Sequence, residues 1–190
     1  MKTVTSVSGG KTSAYLAANY PTDYNVFALV TTSDKTCLYP DKKLRQVVGD
    51  RIGREFIGTL EDDIIIHTIL DLEQHIGNKI DWVSGTDFED VIEYKRDYLP
   101  NVMTRYCTTE LKMRPIFHWW HNNFNEPIEM NMGYRASEKR RADAMVEKLN
   151  SNGLSEFKAT FEKGNTGKNK WVTMEWRKPN FPLVNNFIGL

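Results

Sequence analysis

Cysteine is scarce in this sequence, with only Cys37 and Cys107 among 190 residues. Two thiols are too few to staple a small secreted scaffold, match no four-ligand zinc spacing, and exclude a four-cysteine iron–sulfur cluster within one chain. A reducing compartment fits such a chain. Net charge is missing too: 25 Lys+Arg stand against 25 Asp+Glu. That balance argues against binding nucleic acid by bulk electrostatics alone, although a local basic face can sit within a zero sum. Long apolar runs are also absent. The longest candidate, Ile64-Ile65-Ile66, is flanked by acids and His67, far short of the ~20 residues that span a bilayer. The N-terminal stretch MKTVTSVSGGKTSAYLA has no apolar core of the ~7–15 residues that an export signal needs. We expect a soluble, cytoplasmic protein without a membrane partner. No repeat and no low-complexity segment interrupts the chain.

What is present is an ordinary globular composition, 40% hydrophobic, at a length that suits one domain over residues 1–190. Thr3 to Val7 reads as a short buried strand, broken by Ser8-Gly9-Gly10 and followed by a helix from Thr12 to Tyr20 that Pro21 ends. Val26 to Val30 is a continuous apolar run suited to the middle of a parallel sheet. A second helix over 41–52 stops at Gly53, and a third begins between Thr59 and Asp62 and ends before Gly77. Ile80 to Val83 reads as a strand, Phe88 to Tyr94 as a short helix closed by Leu99-Pro100, Pro115 as a helix start, and Ile128 to Met132 as a strand. Strands alternating with helices predict an α/β fold, doubly wound, its mostly parallel sheet covered by helices on both faces. Residues 150–178 are polar and glycine-bearing before the aromatic stretch Trp171 to Trp176, which predicts a hairpin or mobile insert turning at Gly164-Asn165-Thr166-Gly167. The apolar Phe187-Ile188 just before Leu190 leads us to expect a further C-terminal tail.

The strongest chemical signal is Ser8-Gly9-Gly10-Lys11-Thr12-Ser13, placed after a strand and opening a helix. Glycines let the backbone approach an anion, amides at the helix start point toward it, Ser8 and Ser13 add hydroxyls, and Lys11 adds charge. The pattern is neither G-x-x-x-x-G-K-[ST] nor G-x-G-x-x-G. Elsewhere the residues carry less. His118 and His121 share a helix face but have no third ligand, so core packing beside Trp119 and Trp120 explains them better than a metal. Asp62-Asp63 and Glu89-Asp90 read as solvated helix starts.

The glycine-rich segment resembles the S-G-G-x-D-S signature of the PP-loop superfamily, the adenine nucleotide α-hydrolase-like proteins. Ser8, Gly9, Gly10 and Ser13 match it, and Thr12 stands where that family usually has aspartate. Arg105-Tyr106-Cys107-Thr108-Thr109-Glu110-Leu111-Lys112-Met113-Arg114-Pro115 is similar to the R-x-C-T-x-x-L-K-x-x-P segment of the phosphoadenosine phosphosulfate (PAPS) reductase-like branch. Gly133-Tyr134-Arg135-Ala136-Ser137-Glu138-Lys139-Arg140-Arg141 resembles its G-x-R-x-x-E-x-x-R segment. The resemblance implies an adenine-nucleotide ligand, PAPS or ATP, with magnesium if ATP, its phosphates on Ser8 to Ser13. It also implies that Thr31, Thr32 and Ser33 lie near the adenosine, and that Gly133, Arg135 and Arg140 face the anionic end.

Two chemistries follow for an enzyme of sulfur metabolism. One is thiol-dependent oxidoreductase chemistry on a sulfonucleotide, with a thiol reductant as partner. The other is attack on the α-phosphate of ATP, which activates an acceptor substrate and releases pyrophosphate, with Lys11 offsetting charge. The reductive cysteine of that family sits in a C-terminal E-C-G-x-H segment, and no cysteine follows Cys107 in this sequence, so the thiol would come from a further tail, from a partner, or from Cys107. The competing class is a non-catalytic module that binds a nucleotide or nucleic acid. In that reading Lys139, Arg140, Arg141, Lys168, Lys170, Arg177 and Lys178 form a basic surface interleaved with Trp171 and Trp176.

Overall fold

The computed structural model describes residues 1–101, 104–163 and 167–189. The chain begins with β1 (Thr3–Val7), α1 (Lys11–Asn19) and β2 (Tyr24–Ala28). A two-residue strand β3 (Thr31–Thr32), a 3-10 turn at Lys35–Cys37, α2 (Lys42–Ile52) and the short β4 (Gly58–Thr59) follow. Next come α3 (Ile64–Ile76), β5 (Ile80–Val83) and α4 (Phe88–Tyr94). A turn of α5 (Tyr106–Thr108) passes through a π-helical stretch at Thr109–Met113 into α6 (Arg114–Asn123). Then β6 (Ile128–Asn131), a 3-10 turn at Ala136–Glu138, α7 (Lys139–Val146), β7 (Ser155–Lys163), β8 (Asn169–Asn180) and α8 (Pro182–Asn185) complete the order.

Six strands form one sheet in the order β5-β2-β1-β6-β8-β7. Every neighbouring pair is parallel except β7 with β8. The fold is therefore the doubly wound α/β type that the alternation of strands and helices implies. Alternate side chains of the strands feed two cores. Val4, Val26, Ala28, Ile128 and Met130 face α6, where Ile116, Phe117, Trp119 and Trp120 cover them. Val7, Phe27, Ile80 and Trp82 face the other way, onto Ala17 of α1, Val48 of α2, and Ile66, Ile69 and Leu72 of α3. Helix ends follow local chemistry. Asp41 accepts the Lys43 and Leu44 amides at the start of α2, and Gly53 closes it at φ 71°.

Some boundaries differ from the sequence reading. The run expected over Val26–Val30 pairs as Tyr24–Ala28; beyond it the Leu29 amide reaches the Val83 carbonyl at 2.9 Å and the Val30 carbonyl accepts the Thr59 hydroxyl at 2.7 Å. Thr59 pairs with Thr31 in β4, and α3 starts at Ile64 rather than near Asp62. Residues 150–178 include β7 and most of β8, and β8 pairs with β6 inside the main sheet. Gly164, Asn165 and Thr166 of the expected turn lie outside the described residues. A register shift opposite Ser155 and Glu156 leaves Trp176 without a paired residue. A bulge of this kind breaks the in–out alternation, and Trp176 and Arg177 are consecutively buried at 0% and 3% exposure. The basic aromatic surface expected to include both residues is therefore corrected: neither reaches solvent.

Phe117 sits at the centre of the first core, with Phe157 at 4.6 Å, Trp120 at 5.3 Å and Trp176 at 5.6 Å between ring centroids. Phe117→Ala should cost ~3–5 kcal/mol in urea denaturation. Phe161→Ala, on the exposed side of the same aromatic group, should cost less than ~1 kcal/mol.

Candidate functional site

In an open parallel sheet, a crevice forms outside the carboxyl ends of two adjacent strands whose connections leave in opposite directions. Here those strands are β1, followed by its neighbour β2 on one side, and β6, on the other. The carboxyl end of β1 is Ser8-Gly9-Gly10, and that of β6 runs through Met132 to Arg135. A cavity of about 340 Å³ lies between them. Ser6, Ser8, Thr12 and Ser13 line it from the β1 side, and Met132, Gly133, Tyr134, Arg135, Glu138 and Arg141 from the β6 side.

The glycine turn is braced from within. Ser13 is 2% exposed, and its hydroxyl accepts the Ser8 amide at 3.1 Å and donates to the Gly10 carbonyl at 2.9 Å. Gly9 adopts φ +70°, and an added Cβ would stand 2.8 Å from Ile65 Cγ2 at the start of α3. Both the backbone and the neighbour therefore require glycine there. The first helical bond of α1 runs from the Ala14 amide to Gly10 at 3.1 Å, and no side chain caps the helix. The amides before Ala14 thus keep free donors at an end where the helix dipole favours negative charge. Lys11 is exposed at the first helical position, and Thr12 is half-buried.

Across the crevice, Glu138 organises the arginines. Its carboxylate accepts the Arg135 amide at 3.1 Å and a bond from Arg141 Nη1, and lies 3.5 Å from Arg135 Nε. That last contact is an ion pair without hydrogen-bond geometry, since Arg135 Nε has no hydrogen-bond partner. The Arg135 amide, opposed by burial and reinforced by Arg141, holds the Glu138 carboxyl below its ordinary range. Arg141 also lies over the Tyr134 ring at 4.6 Å, and Tyr134 stacks on Phe181 at 5.4 Å. Arg141, not Arg140, thus reaches the cavity, and Arg140 is solvent-exposed. The signal was in the sequence: Arg141 falls three residues after Glu138, the spacing that puts two side chains on one helical face.

The remaining candidates sit elsewhere. Thr31 and Thr32 are buried at 3% and 1% exposure, and their hydroxyls are engaged with protein. Thr31 receives Arg54 Nη2 at 2.5 Å, and Thr32 donates to Glu89. Ser33 gives its amide to Glu89 at 3.0 Å. Glu89 is therefore corrected from a solvated helix start to the anchor of this loop. Burial pushes its carboxyl up, but the bonds from Thr32 and Ser33 outweigh that and hold it below the ordinary range. Cys107 packs with Val30, Val91, Leu111, Phe88 and Tyr106 in a satellite apolar cluster and does not line the cavity. His118 and His121 contact Phe161 at 5.6 and 4.2 Å. Among the described residues no group of three His, Cys, Asp or Glu side chains is placed to hold a metal ion.

Three larger hollows lie apart from this constellation. One of about 580 Å³ follows α2 between Lys42 and Phe56, one of about 510 Å³ lies beside β5 and α6, and one of about 500 Å³ is lined by Arg51, Glu73, Asp81 and Trp119. None of the three combines uncapped helix amides with a braced arginine pair. Comparison with protein-family models, curated proteins and solved structures gave no match to this chain.

Because the folded-state pKa of Glu138 is depressed, its contribution to stability is complete above the ordinary value of 4.5 and is lost as pH falls through the folded value. Wild type and Glu138→Gln should differ in urea denaturation at pH 7 and converge as the solution is acidified below pH 4.5.

Proposed function

We propose that the cavity between β1 and β6 binds the phosphates of an adenine nucleotide, and that the protein is a PAPS reductase-like member of the PP-loop superfamily. The observation that carries this reading is the convergence, on one crevice, of the uncapped start of α1 with Arg135 and Arg141. Helix amides and bidentate guanidinium groups are complementary to phosphate or sulfate oxygens. Two of the three sequence segments that carry the family resemblance, separated by about 120 residues in the chain, contribute to its walls.

Of the two chemistries, attack on the α-phosphate of ATP is the better supported. An acceptor oxygen forms the new bond to the α-phosphorus while the bond to pyrophosphate breaks, and the amides and arginines stabilise the departing charge. Cys107 packs in an apolar cluster away from the cavity, which disfavours it as a thiol that must reach a sulfonate. Glu138 is the single carboxylate lining the cavity and is engaged by both arginines. The cavity walls therefore do not fit a resident divalent ion, and magnesium would arrive as part of the nucleotide substrate. A nucleic-acid surface is less favoured, since Trp176 and Arg177 are buried.

Arg135→Ala and Arg141→Ala should each weaken ATP binding by ~1.5–3 kcal/mol, the range for hydrogen bonds to charged groups. Arg140→Ala and Cys107→Ser should leave it within error in calorimetric titration. Assays for AMP and pyrophosphate from ATP, run beside sulfite release from PAPS with a thiol reductant, decide the chemistry. The expected result is AMP formation without sulfite. Sulfite release abolished by Cys107→Ser would reverse the assignment, and failure of either nucleotide to bind would remove it.

A further inference from the structure

Arg177 of β8 is 3% exposed, yet it has no ion-pair partner among the described residues. Its Nε is buried without a hydrogen-bond partner, and its Nη1 faces two thioethers, Met130 Sδ at 3.2 Å and Met132 Sδ at 3.8 Å. Its guanidinium carbon lies 4.3 Å from the Trp176 ring. Thioethers are weak acceptors, so these contacts compensate little of the desolvation of an ion. Burial lowers the guanidinium pKa only to about 10, and the group stays charged at neutral pH. Replacing such a buried charge with an apolar group of similar volume is commonly neutral or stabilising. Folding alone therefore gives no reason for a cation at this position.

Its neighbours give one. Met132 touches Arg177 on one side and lines the β1/β6 cavity on the other. Tyr134, which also lines the cavity, lies near Arg177. The cation thus lies one side chain behind the wall, in an interior where charge is weakly screened. Among the side chains that line the cavity Glu138 cancels one of the two charges of Arg135 and Arg141, which leaves one positive charge, and Arg177 adds a second from behind the wall.

We propose that Arg177 is a specificity-determining charge that acts through the cavity wall, selecting ligands with a doubly negative group, a phosphoryl or pyrophosphoryl group, over neutral or singly charged ones. This inference rests on the reading of the cavity as a phosphate site. Arg177 touches no ligand in this account and acts through its field.

The test titrates wild type, Arg177→Met and Arg177→Lys with pyrophosphate by calorimetry and melts each protein without ligand. Arg177→Met should bind pyrophosphate about tenfold more weakly, or about 1.4 kcal/mol, while its ligand-free melting temperature stays level or rises. Arg177→Lys, which keeps the charge and loses the planar fork, should retain most of the affinity. A folded Arg177→Met that binds as tightly as wild type overturns the proposal. So does a Lys variant as weak as the Met variant, which would make the fork rather than the charge responsible. A Met variant that fails to fold also overturns it, because the cation would then serve the fold. All three outcomes leave the phosphate reading standing. Wild type that binds neither pyrophosphate nor ATP defeats that reading, and this inference with it.

Discussion

The chain leaves β1 toward β2 and leaves β6 in the other direction, toward β7 beyond β8, so the backbone at the carboxyl ends of these two adjacent strands must diverge. A crevice at that place is a consequence of strand order, before any side chain is chosen. What the sequence adds is a turn tight enough to present amides into it. Gly9 supplies the left-handed residue under Ile65, and the buried Ser13 hydroxyl closes the turn by joining Ser8 to Gly10. The strand before the turn is held in place by its parallel neighbours, and the helix after it packs through Ala17 against the core that includes Val7 and Phe27. Site geometry and core packing are therefore one construction.

Electrostatic organisation repeats at a second loop. Glu138 gathers Arg135 and Arg141 at the cavity, while Glu89 gathers Thr32 and Ser33 and Arg54 gathers Thr31, Ser84 and Asp87. Each uses a partly buried charge to fix backbone that has no ladder to hold it, and charge-assisted bonds are stronger than neutral ones. Such bracing limits the rearrangement needed when an anion arrives, which is how a preorganised site gains affinity.

Most of the fold was legible in the sequence because each parallel strand carries apolar residues that enter the core and several helix ends are marked by Asp, Gly or Pro. Asp41, Gly53, Gly77 and Pro115 act where their chemistry suggests. Less legible were features set by contacts between distant residues. The Thr59 hydroxyl bonds the Val30 carbonyl across 29 residues, and no local pattern announces that bond. The bulge that buries Trp176 beside Arg177 hides a cation that composition alone assigns to the surface. At the site, the glycine turn was readable from its glycines and hydroxyls. The choice between Arg140 and Arg141 required knowing that Glu138 faces the crevice. The chemical identity of the ligand is a proposal that geometry supports through charge and donor placement.

Backbone amide chemical shifts during titration with ATP test the central claim, that the β1/β6 crevice is the ligand site, most directly. The account predicts the largest shifts at Gly9, Gly10, Lys11, Gly133 and Arg135, with the amides of Gly49, Gly53 and Gly85 nearly still. Shifts concentrated at Gly49 and Gly53 beside α2, or at Gly85 beside β5, with the glycine turn unmoved, would place the nucleotide in one of the larger hollows and contradict the account.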